Sequence, residues 1–219
     1  MKNWLDKMER RFGRYAIRNL TMYLLAGYAI GYLLSFTMPQ LLTYFTLEPA
    51  LILKGQVWRL LSWVIIPPND NIIFVIFMML LYYSLGNTLE SYWGAFRYNV
   101  YIFSGILFTV IGAFIVNGLI GGITGFGSLY STYYINMSIF LACASIMPDY
   151  QLLLYGIIPI KMKWLAILDV VLLAVDAVQG GLIIRIVIIA SLLNFIIFFF
   201  CNRNLRGHSP KQAARRKKF

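Results

Sequence analysis

Apolar residues fill this chain in long unbroken runs rather than in alternating or one-face patterns, and short polar stretches separate the runs. A helix that is hydrophobic all round needs apolar surroundings on every side. Six such segments can be drawn, at about Leu20–Met38, Ile72–Leu89, Tyr98–Val116, Tyr133–Met147, Met162–Val178 and Leu182–Phe200. Several approach the roughly 20 residues that a helix needs to cross a hydrocarbon core of about 30 Å. The fourth is shorter, which predicts a thin local bilayer or a span enclosed by its neighbours. The pattern divides the chain into a basic amphipathic segment (1–18), a six-helix membrane domain (19–201) and a basic tail (202–219).

Two stretches between the runs are more than simple loops. Residues 41–68, "LLTYFTLEPALILKGQVWRLLSWVIIPP", are rich in aromatics and predict a segment lying in the outer interface, with Trp58 and Trp63 at headgroup depth. "YQLLLYGIIPIK", Tyr150 to Lys161, is apolar but too short to cross, and Pro159 would interrupt a helix. It predicts an interfacial or re-entrant piece on the cytoplasmic side. The Gly-rich "NGLIGGITGFG" (Asn117–Gly127) lacks the Lys and Ser/Thr of a phosphate-binding loop and predicts a flexible outer loop.

Composition supports the bilayer as solvent. Of the 219 residues 60% are hydrophobic and 12% charged, more apolar surface than a water-soluble fold could hide. The formal net charge of +11 raises the question of nucleic acid, but the charges crowd the tails and a few short loops instead. With both termini in the cytoplasm, that side holds Lys2, Lys7, Arg10, Arg11, Arg14, Arg18, Arg97, Lys161, Lys163 and the seven basic residues of the tail. The outer side holds Lys54 and Arg59, and Arg185 lies within the sixth segment. That asymmetry sets the orientation and fits an even number of spans. It predicts a multi-pass protein of a bacterial plasma membrane, with the endoplasmic reticulum as the alternative. The basic tails would bind anionic lipid or serve only as topology determinants. No cleavage-site pattern follows the first 18 residues, so no secretory signal is expected. Cys143 and Cys201 have no Cys or His neighbour, so neither a disulfide framework nor a metal site is expected, and no cofactor.

Polar residues inside the apolar runs are the candidate chemistry. Asn194 stands alone in "IIASLLNFIIFFF", where lipid offers its amide no partner. Asp169 and Asn194 each lie about seven residues from the cytoplasmic ends of their segments, roughly 10 Å deep at 1.5 Å per residue. Asp176 and Arg185 match each other nearer the outer face. The expectation is an Arg185–Asp176 pair, with Asn194 bonded to Asp169 or to a backbone carbonyl across the bundle. Such residues could be glue between helices, or a polar interior that receives a polar transmembrane segment. At the cytoplasmic end of the second segment, Gly86, Glu90 and Gly94 share one helical face, and Arg97 is the expected partner of Glu90. Gly27 and Gly31 in the first segment form a further small-residue pair for close packing.

"LGNTLESYWGAFRYNVYIFSG" resembles the end of the second helix in rhomboid intramembrane proteases, through Gly86, Glu90 and Gly94 followed by Arg and Tyr. "GQVWRLLSW" is similar to the Trp-Arg loop of rhomboids and their relatives, with Trp58 and Arg59 as the pair. "NMSIFLACASIMPDYQLLLYGIIPIKMKWLAILD" looks more like the Derlins, rhomboid relatives without protease activity. The resemblance spans roughly residues 20–200 and implies a six-helix rhomboid-like bundle.

A rhomboid protease would carry a serine on the fourth helix and a histidine on the sixth, because a serine hydroxyl needs an adjacent base to take its proton. Here the sole histidine, His208, lies in the tail. Ser128, Ser131 and Thr132 are the nearest candidates for a nucleophile, without the family's G-x-S-G. Counting back from Gly86, the family's His-x-x-x-Asn pair falls on Phe74 and Met78. Counting from a Derlin-like Gly180-Gly181 pair, the histidine position falls on Asn194, whose amide is no general base near neutral pH. The resemblance therefore implies a catalytically inactive protein that binds transmembrane segments of client proteins and assists their quality control. An active protease with a non-standard site, or a small-solute transporter lined by Asp169, Asp176, Arg185 and Asn194, are the alternatives. The C-terminal tail lacks the motif by which Derlins recruit a cytosolic unfoldase, so that partner does not carry over.

Overall fold

The computed structural model describes residues 4–66, 72–125, 127–130, 132–154 and 158–201. A helix lies over each of the six apolar segments: α2 (Leu20–Thr37), α6 (Ile72–Trp93), α7 (Ala95–Leu119), α8 (Tyr133–Ile146), α9 (Met162–Gln179) and α10 (Leu182–Cys201). Among the described residues, α2 and α7 are long and apolar enough by themselves to cross a bilayer. Shorter helices among the described residues are α1 (Trp4–Phe12) before the bundle, and α3 (Pro39–Phe45), α4 (Pro49–Ile52) and α5 (Arg59–Ser62) between α2 and α6.

Helix α7 is central and packs against α6, α8 and α10. Its crossing with α10 is close because glycine stands at the contact. A Cβ on Gly105 would lie 3.1 Å from Asn194 Nδ2, and one on Gly112 would lie 2.9 Å from Ala190 Cβ. Near one end of this crossing Trp93, Tyr101 and Phe198 form an aromatic cluster, with ring centroids 4.7 to 5.3 Å apart. Helix α8 touches α6, α9 and α10, and its buried run from Ile135 to Ala144 accounts for its shortness: it is enclosed. Helix α2 packs on α6 and on the 3₁₀ turn Trp63–Ile65, with Gly27 facing Ile65.

Helix α9 is the outlier. Only Met162, Asp169 and Leu173 are buried along its 18 residues. Ile167, Leu168, Val170, Val171 and Leu172 are exposed, so most of its circumference is apolar surface left uncovered by the described residues. α6 carries a similar exposed face at Ile72, Ile73, Ile76 and Leu80.

The stretches between the long helices have structure of their own. Within the 150–161 stretch, β1 (Gln151–Leu154) pairs antiparallel with β2 (Ile158–Lys161), Leu153 opposite Pro159, and the pair is called the hairpin below. Both strands of a two-stranded sheet are edges, which tolerates a proline with no N–H to donate. The hairpin is stapled to α9 by Met162 N–H on the Tyr150 carbonyl (2.8 Å) and by Lys163 on Asp149 (3.2 Å). Trp63 is fully buried and donates to the Leu60 carbonyl (3.1 Å), whereas Trp58 is half-exposed. The Gly-rich loop is tied down: Gly125 and Gly127 N–H groups donate to Glu48 Oε1 at 3.0 and 2.8 Å.

Candidate intramembrane polar site

Asn194 is 2% exposed and fully engaged with α7. Its Nδ2 donates to the Tyr101 carbonyl (2.9 Å), and the Ser104 hydroxyl donates to its Oδ1 (2.6 Å). Ser104 has one proton, which it shares between Asn194 and the Val100 carbonyl, also at 2.6 Å. An amide in a low-dielectric interior is thereby satisfied on both of its atoms. Of the two partners expected for Asn194, the backbone carbonyl is the one observed.

Asp169 is elsewhere. It sits in the seam that α9 makes with the bundle, 7% exposed, and its Oδ2 is buried without a hydrogen-bond partner among the described residues. The phenols of Tyr82 and Tyr133 lie within electrostatic reach. A buried carboxylate oxygen left unpaired costs stability, so its presence demands a reason.

A third polar cluster joins α2 to α8. Asn136 Nδ2 donates to the Tyr28 hydroxyl at 3.3 Å, and Thr132 flanks the same phenol. The Thr132 hydroxyl is 3.5 Å from the Ile66 carbonyl. Thus Thr132 and Asn194 have different partners and are not bonded to one another. Ser131, His208 and the side chains of Ser128 and Phe74 lie outside the described residues, as does the whole 202–219 tail.

The charged residues resolve into two end clusters. At one end, Glu90 does not pair with Arg97; its Oε1 accepts the backbone N–H of Asn19 (2.9 Å), where φ is +56° and α2 begins. Arg97 is turned toward α1, with Nη2 on Asp6 (2.5 Å) and Nε on Glu9 (2.9 Å). Asp6 and Glu9 escaped attention because the segment reads as basic overall. Their i, i+3 spacing puts both carboxylates on one face of α1, which was the available signal. Gly94 has φ of +87° and turns α6 into α7, while Gly86 lies against the buried Thr21–Tyr98 hydrogen bond of 2.7 Å.

At the other end, Arg59 is 3% exposed and organises the 41–66 segment. Its Nη1 donates to the carbonyls of Thr43 (2.8 Å) and Thr46 (2.9 Å), and its Nε to Gln56 Oε1 (2.7 Å). Trp58 Nε1 takes the Tyr44 carbonyl (3.2 Å) and Ser62 the Phe45 carbonyl (3.2 Å). The last carbonyls of α3 are therefore capped one after another by α5 and the residue before it. Burial lowers the Arg59 pKa from its ordinary value, with Glu48 and then Tyr44 opposing, and the guanidinium stays charged at neutral pH. The expected Arg185–Asp176 ion pair is absent. Arg185 Nε instead donates to the Ala177 carbonyl (2.8 Å) at the end of α9, where a helix C-terminus attracts a cation.

Helices with exposed apolar faces, capped at both ends by charged clusters and joined inside by isolated polar pairs, define an integral membrane helical protein. The chain belongs to the family described as "Eukaryotic integral membrane protein (DUF1751)", which it matches over residues 18–214. No curated protein and no solved structure matches it. The eukaryotic description is at odds with the bacterial plasma membrane favoured by the sequence reading.

Proposed function

We propose that this protein is a rhomboid-like, Derlin-like bundle of six spans, with both termini in the cytoplasm, that binds transmembrane segments of client proteins and assists their handling in a eukaryotic internal membrane such as the endoplasmic reticulum. The observation that carries the reading is Asp169. Helix α9 presents apolar surface to lipid on most sides, and its one buried polar side chain faces the seam with an unpaired oxygen. A client helix carrying a polar or basic residue gains a partner there that lipid cannot offer. Asn194, at the position counted as a protease's base, spends its amide on α7, which favours binding over hydrolysis.

The test is a photocrosslinking residue at Leu172, on the exposed side of α9, in cells making either the parent or an Asp169→Leu variant. Crosslinks to integral membrane proteins that fade in the variant support the reading. Crosslinks to lipid alone, or to proteins regardless of Asp169, overturn it. Labelling of Ser128, Ser131 or Thr132 by a fluorophosphonate would favour the protease alternative instead.

A further inference from the structure

A second feature stands apart from Asp169, where α1 and its linker lie along α7. A groove of about 390 Å³ runs between residues 12–17 and the 96–107 face of α7. From Phe96 to Leu107 it follows α7 for about 16 Å at 1.5 Å per residue. It is apolar, and Phe103 and Leu107, 45% and 57% exposed, leave its deep end open to the side of the bundle. Its polar lining residues are Asn99, Ser104 and Tyr15, whose hydroxyl accepts from Arg14 (2.6 Å). Ser104 is committed to Asn194 and Val100. Asn99 is 94% buried, and its Oδ1 has no hydrogen-bond partner among the described residues.

The mouth of the groove is cationic. The aromatic rings that form its near wall, Phe12 and Tyr15, each carry a guanidinium: Arg11 stands 5.5 Å from the Phe12 centroid and Arg14 4.7 Å from that of Tyr15. Reading inward, the order is positive charge, then a buried amide with spare hydrogen-bonding capacity, then an open apolar channel. An anionic phospholipid has the same order: phosphate, ester, acyl chain. We propose that this groove binds one anionic phospholipid of the leaflet in which α1 lies. Arg11 and Arg14 hold the headgroup, the Asn99 Nδ2 donates to an ester oxygen, and one acyl chain lies against Phe103 and Leu107. Asp6 and Glu9 on Arg97 keep α1 in place to form the near wall.

The test uses the purified full chain in phosphatidylcholine vesicles containing either phosphatidylserine or phosphatidylcholine with a diazirine in one acyl chain. The expected result is crosslinking to peptides covering 12–17 and 96–107, stronger for phosphatidylserine. Arg11→Ala or Arg14→Ala should each lower that preference about five-fold, and Leu107→Trp should reduce labelling of this site by both lipids. Both arginines are at the surface, so their variants report binding rather than folding. Equal labelling by the two headgroups, unchanged by the arginine variants, would reveal ordinary annular lipid and overturn the proposal. Labelling that never reaches 96–107 would overturn it equally.

Discussion

Asn194 shows how a single side chain can look like a relic of chemistry and act as a fastener. Both of its amide atoms are spent on α7, at a crossing where Gly105 removes the side chain that would otherwise hold the helices apart. Replacing Asn194 with Leu leaves the Ser104 hydroxyl to the Val100 and Tyr101 carbonyls and removes the Asn194 bond to Tyr101. The expected loss is about 1 kcal/mol, since interhelical hydrogen bonds in membranes average below that and seldom exceed about 2. Unfolding titrations in detergent should show it, and a Ser104→Ala partner variant should cost less in the Asn194→Leu background than alone. Additive losses would mean that the two side chains are not coupled. The sequence made Asn194 conspicuous because an amide within an apolar run needs a partner. It could not choose between Asp169 and a carbonyl, because that choice depends on the rotation of α10 about its axis, which a run hydrophobic all round leaves open.

At the scale of elements, the long helices were legible and the short ones were not. Apolar runs define α2, α6 to α10 to within a few residues. The 41–66 segment was read only as interfacial, since α3, α4 and α5 owe their geometry to tertiary capping rather than to periodicity. Arg59 is the centre of that capping, and its fork of donors matters more than its charge. Arg59→Lys preserves the charge but cannot reach Thr43, Thr46 and Gln56 together. A loss of about 1.5–3 kcal/mol is expected, given the worth of hydrogen bonds to charged groups. Hydrogen exchange in detergent should then accelerate across 41–66 and leave α7 and α10 protected. Uniform acceleration through every helix would assign Arg59 to global stability instead. The 150–161 hairpin was missed for a different reason: four-residue strands carry too little pattern, and proline there argues as well for an edge strand as against a helix.

For the whole molecule, the two charged clusters carry the argument about direction. Arg97, α1 and the Asn19–Glu90 bond gather at one end of the helices, and Glu48, Arg59 and the 125–127 loop at the other. These contacts fix which loops share a side, independently of any count of lysines. In the proposed arrangement the α1 end faces the cytoplasm, because it also holds the basic N-terminal segment. The orientation can be read by single cysteines placed in a Cys143→Ala, Cys201→Ala background. Lys163→Cys, beside the hairpin, should react with an impermeant maleimide only after the cytoplasmic face is exposed. Lys54→Cys, between α4 and α5, should react only from the opposite face. Both are exposed charged residues, so reactivity reports sidedness rather than unfolding. If both sites reacted from one side, an even number of crossings would separate them in place of the three helices α6, α7 and α8, and the six-span arrangement would have to give way.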